Sequence, residues 1–175
     1  MGIAISRDNR RVWLSGGDSG EILKLDFSGK DSVQRISLNV PCGGKEWQGS
    51  MTGDVRLSPD EKQLYILDQF NFRMVILNTE NDSLLNYIPT GRFPLGIDIS
   101  PDGKRAYVAN TGIFDYPLAP GLTPDNLEEA GLDFPPYGFP SEEAEKGAEV
   151  NGRLVQGLGS PHVPEAVSVW TIDLE

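Results

Sequence analysis

Few side chains in this sequence can do chemistry, and that scarcity narrows the options. The chain holds one histidine, His162, and one cysteine, Cys42. A zinc site of several His and Cys, a histidine pair for acid–base work and an internal disulfide therefore lie beyond this chain alone. Cys42 reads as a small packing residue rather than a nucleophile. The stretch SGGDSGE at Ser15–Glu21 has a glycine-flanked serine, but no base and orienting acid accompany it, so it reads as a turn. The many carboxylates after Ile113 lack the D-x-D-x-D-G spacing of a Ca²⁺ loop and read as solvated acids. No catalytic set emerges, and no motif calls for a metal or cofactor.

What remains is a set of groups suited to binding. Lys45 and Trp47 sit two apart in PCGGKEWQGSMTG, and Arg92 lies in TGRFPLG. A cation beside an aromatic ring can hold an anionic or ring-shaped ligand; Arg92 can equally cap carbonyls or pair with a carboxylate. Asp68 and Asn110 end two similar apolar runs, where they can cap a turn or face a ligand. His162 joins them as a candidate from the acidic segment.

Charge places the acidity in one region. The net charge is −11, which argues against a nucleic-acid backbone as partner. Between Ile113 and Glu165 ten acids face two bases, and eight of the 13 prolines fall there. No apolar stretch reaches the 18 or so residues of a membrane span, and the N-terminus lacks a basic-then-apolar signal pattern.

The elements that must position these groups are repeated. Ser6, Ser58 and Ser100 are each followed by a turn (RDNR, PDEK, PDGK) and then by an apolar run with an aromatic in one column: Trp13, Tyr65, Tyr107. Each is preceded by an alternating pair: Ile3 and Ile5, Val55 and Leu57, Ile97 and Ile99. Asp26 and Asn78 lie 20 residues beyond their serines, and Asp173 lies 73 beyond Ser100, so 53 residues interrupt the third copy. Copies one and two add a fourth run, VQRISL and LLNYIP. Four short strands per copy, with the copies spaced 52 and then 42 residues apart, predict an all-β fold, a β-propeller in part: three four-stranded antiparallel blades, the last without its outer strand. The expected blades cover about 2–40, 53–89 and 95–175, the third interrupted by a Pro-rich acidic insertion at 113–165. Within the insertion Thr123-Pro124 to Gly131 predicts a short helix, and Ser141–Gly147 a second turn of helix.

GRFPLGIDISPDGKRAYVAN, with Tyr107-Val108-Ala109-Asn110 at its end and VSVWTIDL later, resembles the YVTN-type β-propeller repeat. The likeness extends over nearly all residues outside 113–165; the first copy is looser, with Trp13-Leu14-Ser15-Gly16 in the name-giving position. It implies a periplasmic or extracellular setting and a parent ring of about seven blades. The insertion resembles a subgroup in which a phosphoesterase domain accompanies the propeller, and no phosphatase motif lies within these residues.

Three blades do not close a ring, which typically needs four to eight. The chain reads as a section of a longer propeller, or as an arc that pairs with another copy; alone, it is expected to associate through its open blade faces. Loops from strand two to three, and from blade to blade, fall on one face of the disc. Both elaborations, 41–53 and 113–165, therefore land together, where long loops mark a working surface. The expected function is a non-catalytic binding module for a small molecule or protein. The alternatives are the propeller part of a phosphoesterase and a lactonase-like enzyme.

Overall fold

The computed structural model describes residues 1–29, 32–112, 114–115, 137–138, 142, 146–150, 152–156 and 167–174. The first blade is β1 (Ile3–Ile5), β2 (Arg11–Ser15), β3 (Glu21–Asp26) and β4 (Ser32–Ser37), hydrogen-bonded in chain order. The second repeats this with β5 (Thr52–Leu57), β6 (Gln63–Asp68), β7 (Arg73–Asn78) and β8 (Leu84–Pro89). The third is β9 (Pro94–Ile99), β10 (Arg105–Asn110) and, past the insertion, β15 (Ser168–Asp173). Two small hairpins lie between: β11 (Phe114–Asp115) with β12 (Tyr137–Gly138), and β13 (Gly147–Val150) with β14 (Arg153–Gln156).

The pairing registers reproduce the sequence columns. Arg11 faces Asp26, Gln63 faces Asn78 and Arg105 faces Asp173, so the third strand of the last blade resumes in register after 53 extra residues. The predicted helix from Thr123 to Gly131 lies outside the described residues. At the second predicted turn, Glu142 and Lys146 are helical and pair at 2.6 Å.

Side-chain alternation explains how the blades stack. A half-buried strand alternates apolar and polar, whereas a strand buried on both sides is apolar throughout. β10, RAYVAN, has a continuous apolar centre like β6 but buries alternate residues, Ala106 and Val108, and exposes Tyr107. β6, QLYILD, follows the second, because the middle blade has a neighbour on each side. Leu64, Ile66, Val75 and Leu77 pack with Trp13 and Ile22 of blade one. Tyr65, Leu67 and Met74 pack with Ile97, Ala106 and Val108 of blade three. Each internal seam thus joins a face carrying the aromatic column to a face of branched aliphatics. One cation lies in the first seam: buried Lys24 reaches Asp82 at 2.8 and 2.9 Å and the Thr79 carbonyl at 3.4 Å.

Candidate functional site

The two faces of the arc are built differently. On the plain face one turn occurs three times. Ser6, Ser58 and Ser100 donate their hydroxyls to Asp8, Asp60 and Asp102 at 2.6, 2.7 and 2.6 Å. Each aspartate then accepts the backbone N–H of Arg10, Lys62 or Lys104, and each serine Oγ accepts that of Arg11, Gln63 or Arg105 at 2.9–3.0 Å. The serine hydroxyl first, and the backbone N–H second, hold all three carboxyls below the usual carboxylate range. The third turn residue has positive φ in each copy: Asn9 (58°), Glu61 (61°) and Gly103 (74°). Only the third copy places glycine there, so the network holds two ordinary residues in a left-handed conformation.

The loop-rich face gathers the turns between second and third strands and the segments between blades. Thr52 N–H bonds to the Gly17 carbonyl, Leu38 N–H to Gly20, Thr90 N–H to Phe72 and Thr111 N–H to Phe93. Both elaborated segments leave the scaffold here, since the insertion follows β10 and residues 38–51 join β4 to β5.

Residues 38–51 are fastened by a buried clasp. Cys42 and Lys45 exchange backbone bonds at 3.0 and 3.3 Å across Gly43 and Gly44, both at positive φ, the geometry of a primed hairpin turn. A Cβ on Gly43 would come within 2.7 Å of the Tyr87 ring. This hairpin turns Trp47 inward, where its Nε1 donates to the Cys42 carbonyl at 3.1 Å and its ring meets Tyr87 edge-on at 4.7 Å. The Arg73 guanidinium lies 3.7 Å from the Trp47 centroid and the Lys45 ammonium 4.3 Å. Arg73 Nε donates to Asp68 Oδ2 at 2.8 Å, and its Nη2 donates to the Leu38 carbonyl and Ser50 Oγ. Asp68 also accepts from Met51 N–H and Asn71 Nδ2. Both members of the pair are buried, so the carboxylate and ring stacking offset the desolvation of the guanidinium.

Of the sequence candidates, Lys45, Trp47 and Asp68 therefore meet in one cluster. Trp47 and Asp68 are buried and partnered within it, and Lys45 is exposed at its rim. Arg92 and Asn110 lie at the next blade junction: the Arg92 carbonyl accepts from Gly112 N–H, while Asn110, at the end of β10, donates to Ser168 Oγ at 3.3 Å. His162 lies outside the described residues. Cys42 is buried, and burial pushes its thiol pKa up. Sequence reading missed Arg73. Its signal was present: an arginine opening an apolar strand, directly in register with Asp68 across the turn. Also missed was the exposed ring of Phe70, which packs 6.1 Å from Phe93 between the two junctions.

No family model and no curated protein matches the sequence. The structure is similar to Kuenenia stuttgartiensis hydrazine synthase (TM-score 0.53, 23% identity, covering 63% of this chain and 29% of that one). It is similar to the periplasmic gluconolactonase of Pseudomonas aeruginosa (0.51, 24%, 62% and 32%) and to a 6-phosphogluconolactonase-like protein of Bacteroides uniformis (0.50, 17%, 63% and 33%). The chain spans about a third of the length of these structures. With the sheets above, the likeness shows the fold, a partial β-propeller. Among the described residues no helix is long and apolar enough to cross a membrane.

Proposed function

We propose that the chain is a section of a larger YVTN-type propeller protein and acts as a binding module through its loop-rich face. The observation that supports this is the clasp. A buried Asp68–Arg73–Trp47 unit is a costly way to hold a surface segment, and it fixes 38–51 where the insertion also departs. Its rim presents Lys45, and the neighbouring junction presents Phe70 and Arg92; this set suits a small anionic or ring-shaped ligand, or a protein loop. The setting we propose is periplasmic or extracellular, which the resemblance of the third repeat and the periplasmic Pseudomonas protein both favour. Any phosphoesterase chemistry belongs to residues outside this chain.

A lactonase-like activity is the second reading, favoured by the names of two of the similar structures. Incubating the chain with glucono-1,5-lactone separates the two. The binding-module reading expects hydrolysis at the uncatalysed rate. Saturable turnover, reduced by Lys45→Ala or Arg92→Ala, would instead establish an enzyme.

A further inference from the structure

We propose that the plain-face recess between blades two and three binds an organic cation, through an alkylammonium or guanidinium group. The proposal is independent of what the loop-rich face binds. It comes from setting the two internal seams side by side. The seam between blades one and two carries its own cations. Arg7 crosses it, with Nη2 donating to the Pro59 carbonyl at 3.0 Å and its backbone N–H to Glu61 at 2.7 Å. Lys24 lies within it, bonded to Asp82 and to the Thr79 carbonyl. Thr79 Oγ1 adds a bond to the Glu61 carbonyl at 2.6 Å. One seam on, each of these groups is replaced. The positions 52 beyond Arg7, Arg11 and Lys24 hold Pro59, Gln63 and Ile76, and the position 42 beyond Glu61 holds Gly103. Leu174 stands for Thr79: its N–H bonds to the Lys104 carbonyl as that of Thr79 bonds to Lys62. What the second seam keeps is the pair of turn aspartates, Asp60 and Asp102.

With the bridging side chains gone, the second seam has a recess of about 360 Å³, with Asp60 of blade two and Asp102 of blade three both in its lining. Each carboxylate accepts from its serine and from one backbone N–H through Oδ1. Neither forms an ion pair among the described residues. Of the described residues that line the recess, Lys62 alone is cationic, so the acids outnumber it. The Tyr65 hydroxyl is committed to Gln63 Oε1 at 2.8 Å. Pro59 and Leu174 supply an apolar wall. An aliphatic stem can lie along that wall while its charged head pairs with the carboxylates. The recess is thus the complement of the arginine and lysine that occupy the preceding seam. An anion would meet two carboxylates, so this recess selects against the anionic ligands suited to the other face. A free alkylamine or guanidine and the lysine or arginine of a partner chain present the same group, and the test separates them.

Amide chemical-shift titration of the ¹⁵N-labelled chain tests this with three probes. n-Butylguanidinium stands for a free cation, N-acetyl-arginine methylamide for a side chain on a peptide, and n-butanol for the apolar body alone. The cations should give saturable shifts grouped at 58–63 and 102–104, weakening as salt is raised, and the tighter of the two identifies the source. n-Butanol should give none. Asp60→Asn should weaken binding about tenfold or more, the size of one charge-assisted hydrogen bond. Lys62→Gln should tighten it, because it removes the competing cation. The amide spectrum of each variant reports its folding, and Asp102→Asn repeats the loss from the other blade. No saturable shift at these residues with either cation overturns the proposal. So does equal binding of n-butanol, or folded Asp60→Asn and Asp102→Asn chains that bind as the wild type does.

Discussion

The plain face and the loop-rich face are held mainly by different devices. The plain face uses one cheap device three times, a serine, an aspartate two residues on, and two backbone N–H groups, and adds the buried Lys24–Asp82 pair where the β7–β8 turn meets blade one. The loop-rich face uses one expensive device once, a buried ion pair capped by an indole. Repetition of an exposed turn is what a scaffold needs, because each blade must start its second strand in the same place. A buried charge has no such general use. Its desolvation must be offset by partners; here Nε and Nη2 are hydrogen-bonded and the indole stacks on the guanidinium, while Nη1 is buried without a hydrogen-bond partner among the described residues, and the pairing immobilises one non-repeated segment. The difference teaches that the repeat builds the disc, while the departures from it build the surface proposed to bind.

The sharpest way to break this comparison is Asp68→Ala. It strands the Arg73 guanidinium in a buried site, and losing one partner of a buried pair costs about 3–5 kcal/mol. Denaturant unfolding should show that loss, and hydrogen exchange should show the Met51 amide, which bonds to Asp68, losing protection. Trp47→Ala comes next. Truncating a buried tryptophan costs about 3 kcal/mol or somewhat more, and exchange should rise across 42–51 while the three plain-face turns keep their protection. Ser58→Ala, which removes one copy of the repeated device, should cost only about 1 kcal/mol by the same measurement. If it cost as much as Asp68→Ala, the contrast between the faces would fail.

The smallest expected effect is one of pH. Because the folded chain holds Asp8, Asp60 and Asp102 below the ordinary carboxylate value, their contribution is present above about pH 4 and fades as the carboxyls protonate below it. The melting temperature should fall with acidification in that range. It should fall less in a variant with Ser6, Ser58 and Ser100 all changed to alanine, which removes the largest cause of the lowered values.

The scaffold was legible because its signals are local and repeated. A turn serine, an aromatic seven residues past it and, in the first two copies, an aspartate or asparagine twenty residues past it are all visible as columns, and the registers at Arg11, Gln63 and Arg105 follow them. The clasp was only half legible. Lys45, Trp47 and Asp68 stood out by type, yet their union depends on Arg73 and Tyr87, which look like ordinary strand residues until the segment 38–51 folds back over them. Lys24 was hidden for the same reason: its partner, Asp82, is 58 residues away on another blade. Spacing within a repeat shows where a residue sits, but the partner supplied by the next blade decides what it does.

The most direct test of the working surface is an amide chemical-shift map of the ¹⁵N-labelled chain, titrated separately with inorganic phosphate and with glucono-1,5-lactone. The account predicts saturable shifts for at least one probe, grouped in residues 45–50, 69–72, 91–95 and 110–112. Shifts grouped instead in the plain-face turns at 6–10, 58–62 and 100–104, or no saturable shift with either probe, would contradict it.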